Sequence, residues 1–251
     1  MKPLLRCSAG TLALSLVAIL ASCSPEEASH STASFARTSA TIVQPSNATY
    51  PINLIFVAEP HDAIWTDLTG IVLSDELSIP PGDFTVIRGD GANGAALGNV
   101  TLAVDIPAAE LSFRTVGLVF AGSSTITQVP VGSWSLRGAP ADEFASKDAS
   151  AEVVGTPRCT TADFPVPEAA ASVQRFHPGS PDVHAGEVSL DTRSHTVTAE
   201  LTCEGDFDFR VMSPSIDYTD DRGETRTTRL APVSIGFQDV TDADLQRIAS
   251  R

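Results

Sequence analysis

From residue 41 onward, short runs of alternating apolar and polar residues are interrupted by Gly, Pro, Asn or Asp. The interruptions recur about every 8 to 12 residues, a spacing typical of a β-sandwich or a β-barrel. In residues 195–203 (HTVTAELTC), every second residue from Val197 is apolar. Because side chains alternate between the two faces of a strand, one face of this segment is expected to be buried. The pattern therefore predicts an all-β fold.

The predicted strands fall into two groups. The first comprises residues 41–43, 52–58, 70–73, 84–88, 100–106, 111–120, 125–129 and 133–137. The second comprises residues 187–190, 195–203, 207–211, 215–219, 224–230 and 233–237. Residues 138–150 separate the groups and are polar and poor in β-forming side chains. We predict an Ig-like β-sandwich of two tandem modules, 41–137 and 151–251, joined by a linker at 138–150; one larger domain is the alternative.

Polar segments with glycine predict tight turns between the strands. Asp220-Asp221-Arg222-Gly223 stands between two β-branched arms, and Gly223 can adopt the positive φ that a hairpin turn requires. The acidic residues near this turn are interpreted as a solvent-exposed hairpin tip. A calcium loop is disfavoured because Gly223 comes one position too late in the motif.

Two short segments favour helix. Residues 167–176 (PEAAASVQRF) begin with Pro, which suits the first position of a helix. Near the C-terminus, Thr241 can cap a helix whose third residue is the acidic Asp244, and Val240 can pack on Leu245. We expect this second helix to end near Ser250.

The first 23 residues carry a targeting pattern. A basic start is followed by a short apolar run from Gly10 to Leu20 and by Leu20-Ala21-Ser22-Cys23. This order is typical of an export signal, and the run is shorter than the roughly 20 apolar residues that span a bilayer. The last four residues resemble the lipobox of bacterial lipoproteins. The resemblance covers residues 1–23 only and implies diacylglycerol transfer to Cys23 and cleavage after Ser22.

The lipobox resemblance has consequences for location. Residues 1–22 would be a signal peptide, and a lipid on Cys23 would hold the mature chain on the outer face of the cell membrane, with the membrane as its partner. If the cell has an outer membrane, Ser24 permits transfer to it. Residues 24–40 are rich in Ser, Ala and Thr, so residues 23–40 are predicted to be the lipidated cysteine and a disordered tether. A plain secreted protein is the alternative.

The charge balance excludes one class of partner. The chain has 16 Lys and Arg against 31 Asp and Glu, a net charge of −15. Such a surface repels nucleic acid and anionic lipid headgroups. We therefore predict no nucleic-acid partner, and an envelope protein or a cell-wall component is the expected class of partner.

Two of the four cysteines remain after processing. Cys7 leaves with the signal and Cys23 carries lipid, so Cys159 and Cys203 remain in an oxidising compartment. We predict that they form a disulfide, which would contribute about 4 kcal/mol on the loop-entropy model. Two independent buried thiols are the alternative.

Signatures of catalysis and cofactor binding are missing from the sequence. No GxSxG, Ser-x-x-Lys or HExxH motif occurs, so we predict a protein that is not an enzyme and has no cofactor. His177, His184 and His195 are the densest histidine group, but their spacing matches no metal signature. We predict no metal site, and retain His177 and His184 as candidate ligand-binding residues in a surface loop.

The two tryptophans are the remaining candidates. Carbohydrate-binding β-proteins often present such rings to a sugar face. Trp134 lies in a predicted strand and is expected in the core, whereas Trp65 lies in the polar segment 59–67 and is the candidate for ligand contact.

Together these features predict a lipid-anchored envelope protein with a non-catalytic binding or structural role. Two alternatives stay open: a carrier of a metal or small ligand that uses residues 177–195, and an exported enzyme of unrecognised type.

Overall fold

The computed structural model describes residues 31–74, 77–92, 94–145, 154–238 and 240–251. The predicted signal, Cys23 and the first part of the predicted tether lie outside these residues. The strands are β1 (Ser34–Phe35), β2 (Thr38–Pro45), β3 (Thr49–Ala58), β4 (Leu68–Ser74), β5 (Leu77–Ile79), β6 (Phe84–Ala92), β7 (Ala95–Asp105), β8 (Leu111–Phe120), β9 (Ile126–Ala139), β10 (Val154–Thr156), β11 (Thr161–Pro165), β12 (Ala170–His177), β13 (Val183–Asp191), β14 (Thr196–Cys203), β15 (Phe209–Met212), β16 (Ser215–Asp220), β17 (Thr225–Arg229) and β18 (Val233–Ile235). Short 3₁₀ turns occur at Ala63–Trp65 and Ala141–Glu143, and α1 spans Asp242–Ala249.

Strand pairing among the described residues gives four sheets. The largest has eight strands in the order β10-β18-β15-β2-β9-β8-β4-β5, and a second has four in the order β1-β3-β7-β6. Two smaller sheets have the orders β11-β14-β13 and β12-β16-β17. The chain is therefore an all-β sandwich with a short C-terminal helix, and the predicted fold class is confirmed.

The first hydrophobic core lies between the four-stranded sheet and the large sheet. Alternate residues of β3 and β7, such as Ile52 and Leu102, point into it and are fully buried. Trp134 of β9 is buried in the same core and stacks on Phe113, with ring centroids 5.8 Å apart. The prediction that Trp134 packs in the core is confirmed.

The second core lies between the two small sheets and one end of the large sheet. Val197, Ala199 and Leu201 of β14 are buried in it, as their alternation predicts. Met212 of β15 and Val233 of β18 close this core from the large sheet. Most residues of each core thus come from one side of residues 138–150.

The large sheet nevertheless connects the two cores. β2 pairs in parallel with β9 on one side and with β15 on the other. Neighbouring residues of β15 face different cores, because Val211 belongs to the first and Met212 to the second. A single sheet therefore crosses the predicted module boundary, and β9 itself continues to Ala139, past the boundary at residue 137.

The predicted tether is wrong from Ser34 onward. β1 and β2 begin inside it, and Thr38, Ser39 and Ala40 are 1%, 5% and 2% exposed. Small side chains fit this crowded central strand, and the polar ones find partners. The Ser39 hydroxyl, for example, donates to Asp182 at 2.7 Å. The first residues of the predicted tether, 24–30, lie outside the described residues.

The predicted helix at 167–176 is also wrong. Residues Ala170–His177 form β12, which pairs antiparallel with β16. An isolated helix of ten residues is marginal in water. Here the strand buries Ala170 and Phe176 against the second core, so tertiary packing overrides the local preference.

Two other local predictions are confirmed. Thr241 and Asp244 form a reciprocal capping box at the start of α1, which ends at Ala249. The hairpin between β16 and β17 turns at Gly223, whose φ is +81°. In the part of the chain that the structure describes, no helix has the length and hydrophobicity needed to cross a membrane.

Candidate functional site

The most distinctive concave site is a cleft beside the first core. Its volume is about 260 Å³, and it is lined by Tyr50, Pro51, Asn53, Trp134, Gly155, Val211, Ser234, Phe237 and Gln238. None of these side chains carries a charge at neutral pH. We call this site the Tyr50 cleft.

The floor of the Tyr50 cleft is one cross-strand row of the large sheet. Register pairs Gly155 with Ser234, Ser234 with Val211, Val211 with Ala40, and Ala40 with Trp134. Directly opposed residues share a face of a sheet. The residues of this row between β10 and Trp134 have mostly small side chains. They therefore leave the space that the cleft occupies.

The roof is the open edge of β3. The whole of β3 pairs with β7, whereas β1 covers only Phe56 and Val57 on the other edge. Among the described strands, none pairs with that edge between Thr49 and Leu54. Pro51 lies in this open stretch, and proline is tolerated there because it has no N–H group that needs a partner.

Aromatic and amide side chains form the wall. Phe237 stacks on Phe209, with ring centroids 4.6 Å apart. The side chain of Gln238 lies over Gly155, because a Cβ atom at Gly155 would collide with the Gln238 amide nitrogen. Glycine at 155 is therefore required for Gln238 to reach this position.

Polar groups of the cleft lack partners among the described residues. The hydroxyls of Tyr50 and Ser234 and the amide of Gln238 make no hydrogen bond with a described residue. The Asn53 side chain lies on the opposite face of β3 from Tyr50, where its amide oxygen accepts from Asn99 and Thr101 at 2.8 and 3.0 Å. The polar groups of Tyr50, Ser234 and Gln238 are thus available to a ligand.

Tyr50 is the most unusual of these residues. It is 3% exposed, and desolvation by burial raises its pKa to about 12. The phenol therefore stays protonated at physiological pH. Its hydroxyl makes no hydrogen bond with a described residue and is not among the fully buried polar atoms that lack a partner, so it is open to a polar ligand in the cleft.

The structure gives Trp65 a different environment from the one expected for a ligand platform. Its ring contacts Phe56 at 5.0 Å between centroids, and the Arg88 guanidinium lies 5.1 Å from the indole centroid. Its indole N–H donates to the Glu59 carbonyl at 2.7 Å. These contacts attach the 59–65 loop to the first core, and the ligand role of Trp65 stays a prediction.

The two candidate histidines contact separate carboxylates. His177 Nε2 lies 3.0 Å from Asp217 Oδ2, and His184 Nε2 lies 3.5 Å from Glu204 Oε1. The hydrogen bond from His177 is the largest of the contacts that hold the pKa of Asp217 below its ordinary value. Within the described residues, no three His, Cys, Asp or Glu side chains lie in an arrangement that suits a metal ion.

Cys159 and Cys203 are joined in a disulfide, with Cα atoms 5.9 Å apart. The predicted pairing is confirmed. The bond connects the segment before β11 to the end of β14, and both cysteines pack against the second core. It is therefore a structural staple of that core.

Sequence reasoning missed the Tyr50 cleft. Of its lining residues only Trp134 was singled out, and then for the core. One local signal was present: Tyr50 and Pro51 combine an aromatic residue with an edge-compatible proline immediately before a predicted strand. The approach of Ser234 and Gln238 depends on strand pairings between distant segments, which no local pattern reveals.

Comparison with known proteins adds no relationship: no protein-family model matches the sequence, and no curated protein is significantly similar to it.

Proposed function

We propose that this chain is an exported, lipid-anchored envelope protein that binds an uncharged ligand in the Tyr50 cleft. The lipobox resemblance at Leu20-Ala21-Ser22-Cys23 supports the anchor. The cleft supports the binding role, because aromatic walls with a few convergent polar groups are the usual composition of small-ligand sites.

One observation carries the binding role: Tyr50 is buried, lines the cleft and has no hydrogen-bond partner among the described residues. The Tyr50 hydroxyl is not among the fully buried polar atoms that lack a partner, so it opens to the cleft. A ligand that binds there can replace water as the hydrogen-bond partner of this hydroxyl.

The lining also favours binding over acid–base catalysis. General acids and bases work best when their pKa lies near the operating pH. Tyr50 is the ionisable group of the lining, and burial holds its pKa at about 12. This supports the prediction that the protein is not an enzyme.

The anchor is tested by membrane fractionation of cells that express single-cysteine variants. Cys23→Ala should abolish lipid labelling and move the chain to the soluble fraction or leave it unprocessed, because the acyl chains supply the membrane affinity. Cys7→Ala is the matched control and should be labelled normally. Normal labelling of Cys23→Ala would contradict the anchor.

The cleft is tested by mass spectrometry of small molecules that co-purify with the native protein from envelopes. Ser234→Phe should remove the bound molecule, because the larger side chain fills the floor of the cleft. Ser172→Phe places the same ring on an exposed position of β12 and should retain the molecule. Equal recovery from both variants and the wild type would refute the Tyr50 cleft as the binding site.

A further inference from the structure

We propose that the Tyr50 cleft recognises one neutral hexose unit, such as the terminal sugar of an uncharged glycan. This inference rests on the proposed function and names the chemical class of its ligand.

The size of the cleft limits the ligand to a single ring. Its volume of about 260 Å³ is below the range of roughly 300–1,000 Å³ that is usual for drug-sized ligands. A nucleotide or an extended cofactor therefore does not fit, whereas one ring with small substituents does.

The charge of the lining excludes ionised ligands. No residue that lines the cleft carries a charge, and an ionised group that enters such a site loses its hydration without gaining an ion pair. The whole chain has a net charge of −15, which additionally repels anions. The ligand should therefore be neutral.

The polar groups of the cleft match a polyhydroxylated ligand. The hydroxyls of Tyr50 and Ser234 and the amide of Gln238 can both donate and accept. Sugar hydroxyls also donate and accept, so one ring can satisfy groups on the roof, the floor and the wall together. A purely apolar ring would displace water from the Tyr50 hydroxyl without replacing its hydrogen bond.

The aromatic residues account for the other surface of a sugar. Hexose rings carry C–H groups that favour contact with aromatic side chains. Trp134, Phe237 and Tyr50 all line the cleft. The site thus combines aromatic surface with neutral hydrogen-bonding groups in one small volume.

An added peptide strand is the main competing occupant, since the roof is an open sheet edge. Pro51 disfavours it. The backbone of Ile55 faces the β1 side, because its carbonyl accepts from the Ala36 N–H at 2.9 Å. The alternation of hydrogen bonding along a strand then directs Asn53 and Pro51 to the open edge. Pro51 has no N–H to offer, and proline on an edge is a recognised block to strand addition.

The test is ligand-detected NMR on the purified full-length protein with D-glucose, D-galactose and N-acetyl-D-glucosamine as neutral probes. We expect at least one of them to bind with a Kd in the millimolar range, as befits a ligand of so few atoms. D-glucuronate matches glucose in size but carries a carboxylate, and it should bind at least tenfold more weakly. Equal binding of glucuronate would overturn the proposal.

Two conservative variants locate the binding. Tyr50→Phe removes only the hydroxyl and should weaken sugar binding about tenfold, the loss expected for one hydrogen bond. Tyr218→Phe is the matched control in the second core and should bind like the wild type. Unchanged binding by Tyr50→Phe, with native circular dichroism, would contradict the proposed role of the phenol.

The outcome is separable from that of the proposed function. If none of the three sugars binds while Ser234→Phe still removes a co-purified molecule, the cleft is a binding site and the hexose assignment is wrong. If a blocked tetrapeptide of alternating Val and Thr binds instead of the sugars, strand addition at β3 replaces the proposal. If Ser234→Phe retains everything that the wild type binds, the cleft itself is refuted.

Discussion

The two cores of this molecule are stabilised by different means. Ten of the twelve largest fully buried side chains among the described residues belong to the first core, and the other two, Phe164 and Leu201, belong to the second. Ion pairs, by contrast, are concentrated between Glu143 and Arg251 and at Arg37. The disulfide also lies in the second unit.

This difference follows from strand length. β3, β7, β8 and β9 have 10 to 14 residues, so the first core buries long rows of apolar side chains. The small sheets contain strands of five to nine residues and bury less. Limited apolar burial is commonly supplemented by covalent and polar links, and the second unit has both.

The largest expected effect concerns the buried ion pair of the second unit. Arg210 Nε donates to Asp182 at 3.0 Å, and the two side chains are only 11% and 12% exposed. Asp182→Ala should destabilise the protein by about 3–5 kcal/mol, because Arg210 remains buried without its partner. Urea unfolding followed by circular dichroism measures the change.

A matched exposed pair provides the control for Asp182. Glu224 and Arg226 form an ion pair at 2.8 Å with both side chains largely exposed. Glu224→Ala should change the free energy of unfolding by less than about 1 kcal/mol. Similar losses of unfolding free energy in the two variants would show that burial does not change how much these ion pairs stabilise the protein.

The next effect concerns the disulfide. Replacing Cys159 and Cys203 together by Ser should destabilise the second unit by about 2–4 kcal/mol. Both tryptophans contact the first core, so their fluorescence reports on that core while circular dichroism reports on all strands. We expect the double variant to lose circular dichroism signal at lower urea than fluorescence signal. Coincident transitions would mean that the shared sheet unfolds both cores together.

The smallest expected effect is a pH dependence. The hydrogen bond from His177 lowers the pKa of Asp217 from its ordinary value of 3.8. The unfolded chain therefore binds this proton first, so the stabilisation is present above pH 3.8 and is lost as the pH falls through the folded-state pKa. Asp217→Asn should make the free energy of unfolding depend less steeply on pH below 3.8.

A second variant assigns this effect to its cause. His177→Gln keeps the carboxylate but removes the largest contribution to its lowered pKa, and it should also make the free energy of unfolding depend less steeply on pH. Thr227→Val removes a smaller contribution to the lowered pKa of Asp217, the hydrogen bond of 2.7 Å from the Thr227 hydroxyl. It should therefore change the pH dependence of the unfolding free energy less than His177→Gln does. A larger change in Thr227→Val would contradict the assigned order of causes.

The parts of the fold that depend on local signals could be predicted from the sequence. The hairpin at Gly223 needs a residue that tolerates positive φ, and α1 needs the Thr241 cap; both requirements lie within a few residues. Residues 41–43 of β2 were predicted as a strand, but its first residues, Thr38 to Ala40, were missed because Ser, Thr and Ala resemble the composition of a disordered segment. The stability of β2 comes from distant contacts, such as the bond from the Arg37 N–H to Asp208, 171 residues away.

The candidate site was missed for a related reason. Tyr50, Trp134 and Ser234 belong to three strands of two sheets, and only the register of the large sheet places two of them in one row. Composition correctly marked Trp134 as a core residue but gave no indication that one of its edges borders a cleft. The distance along the sequence between Trp134 and Ser234 does not indicate that strand pairing places them in one cross-strand row.

The position of β2 inside the large sheet also sets an order of events during synthesis. The ribosome makes residues 38–45 early, but β15, one of the two neighbours of β2, is made near the end. Until then one side of β2 has no partner, and closing so long a loop is intrinsically slow. Completion of the sheet must therefore wait for nearly the whole polypeptide, so truncated chains should be prone to aggregate through this unfilled strand position.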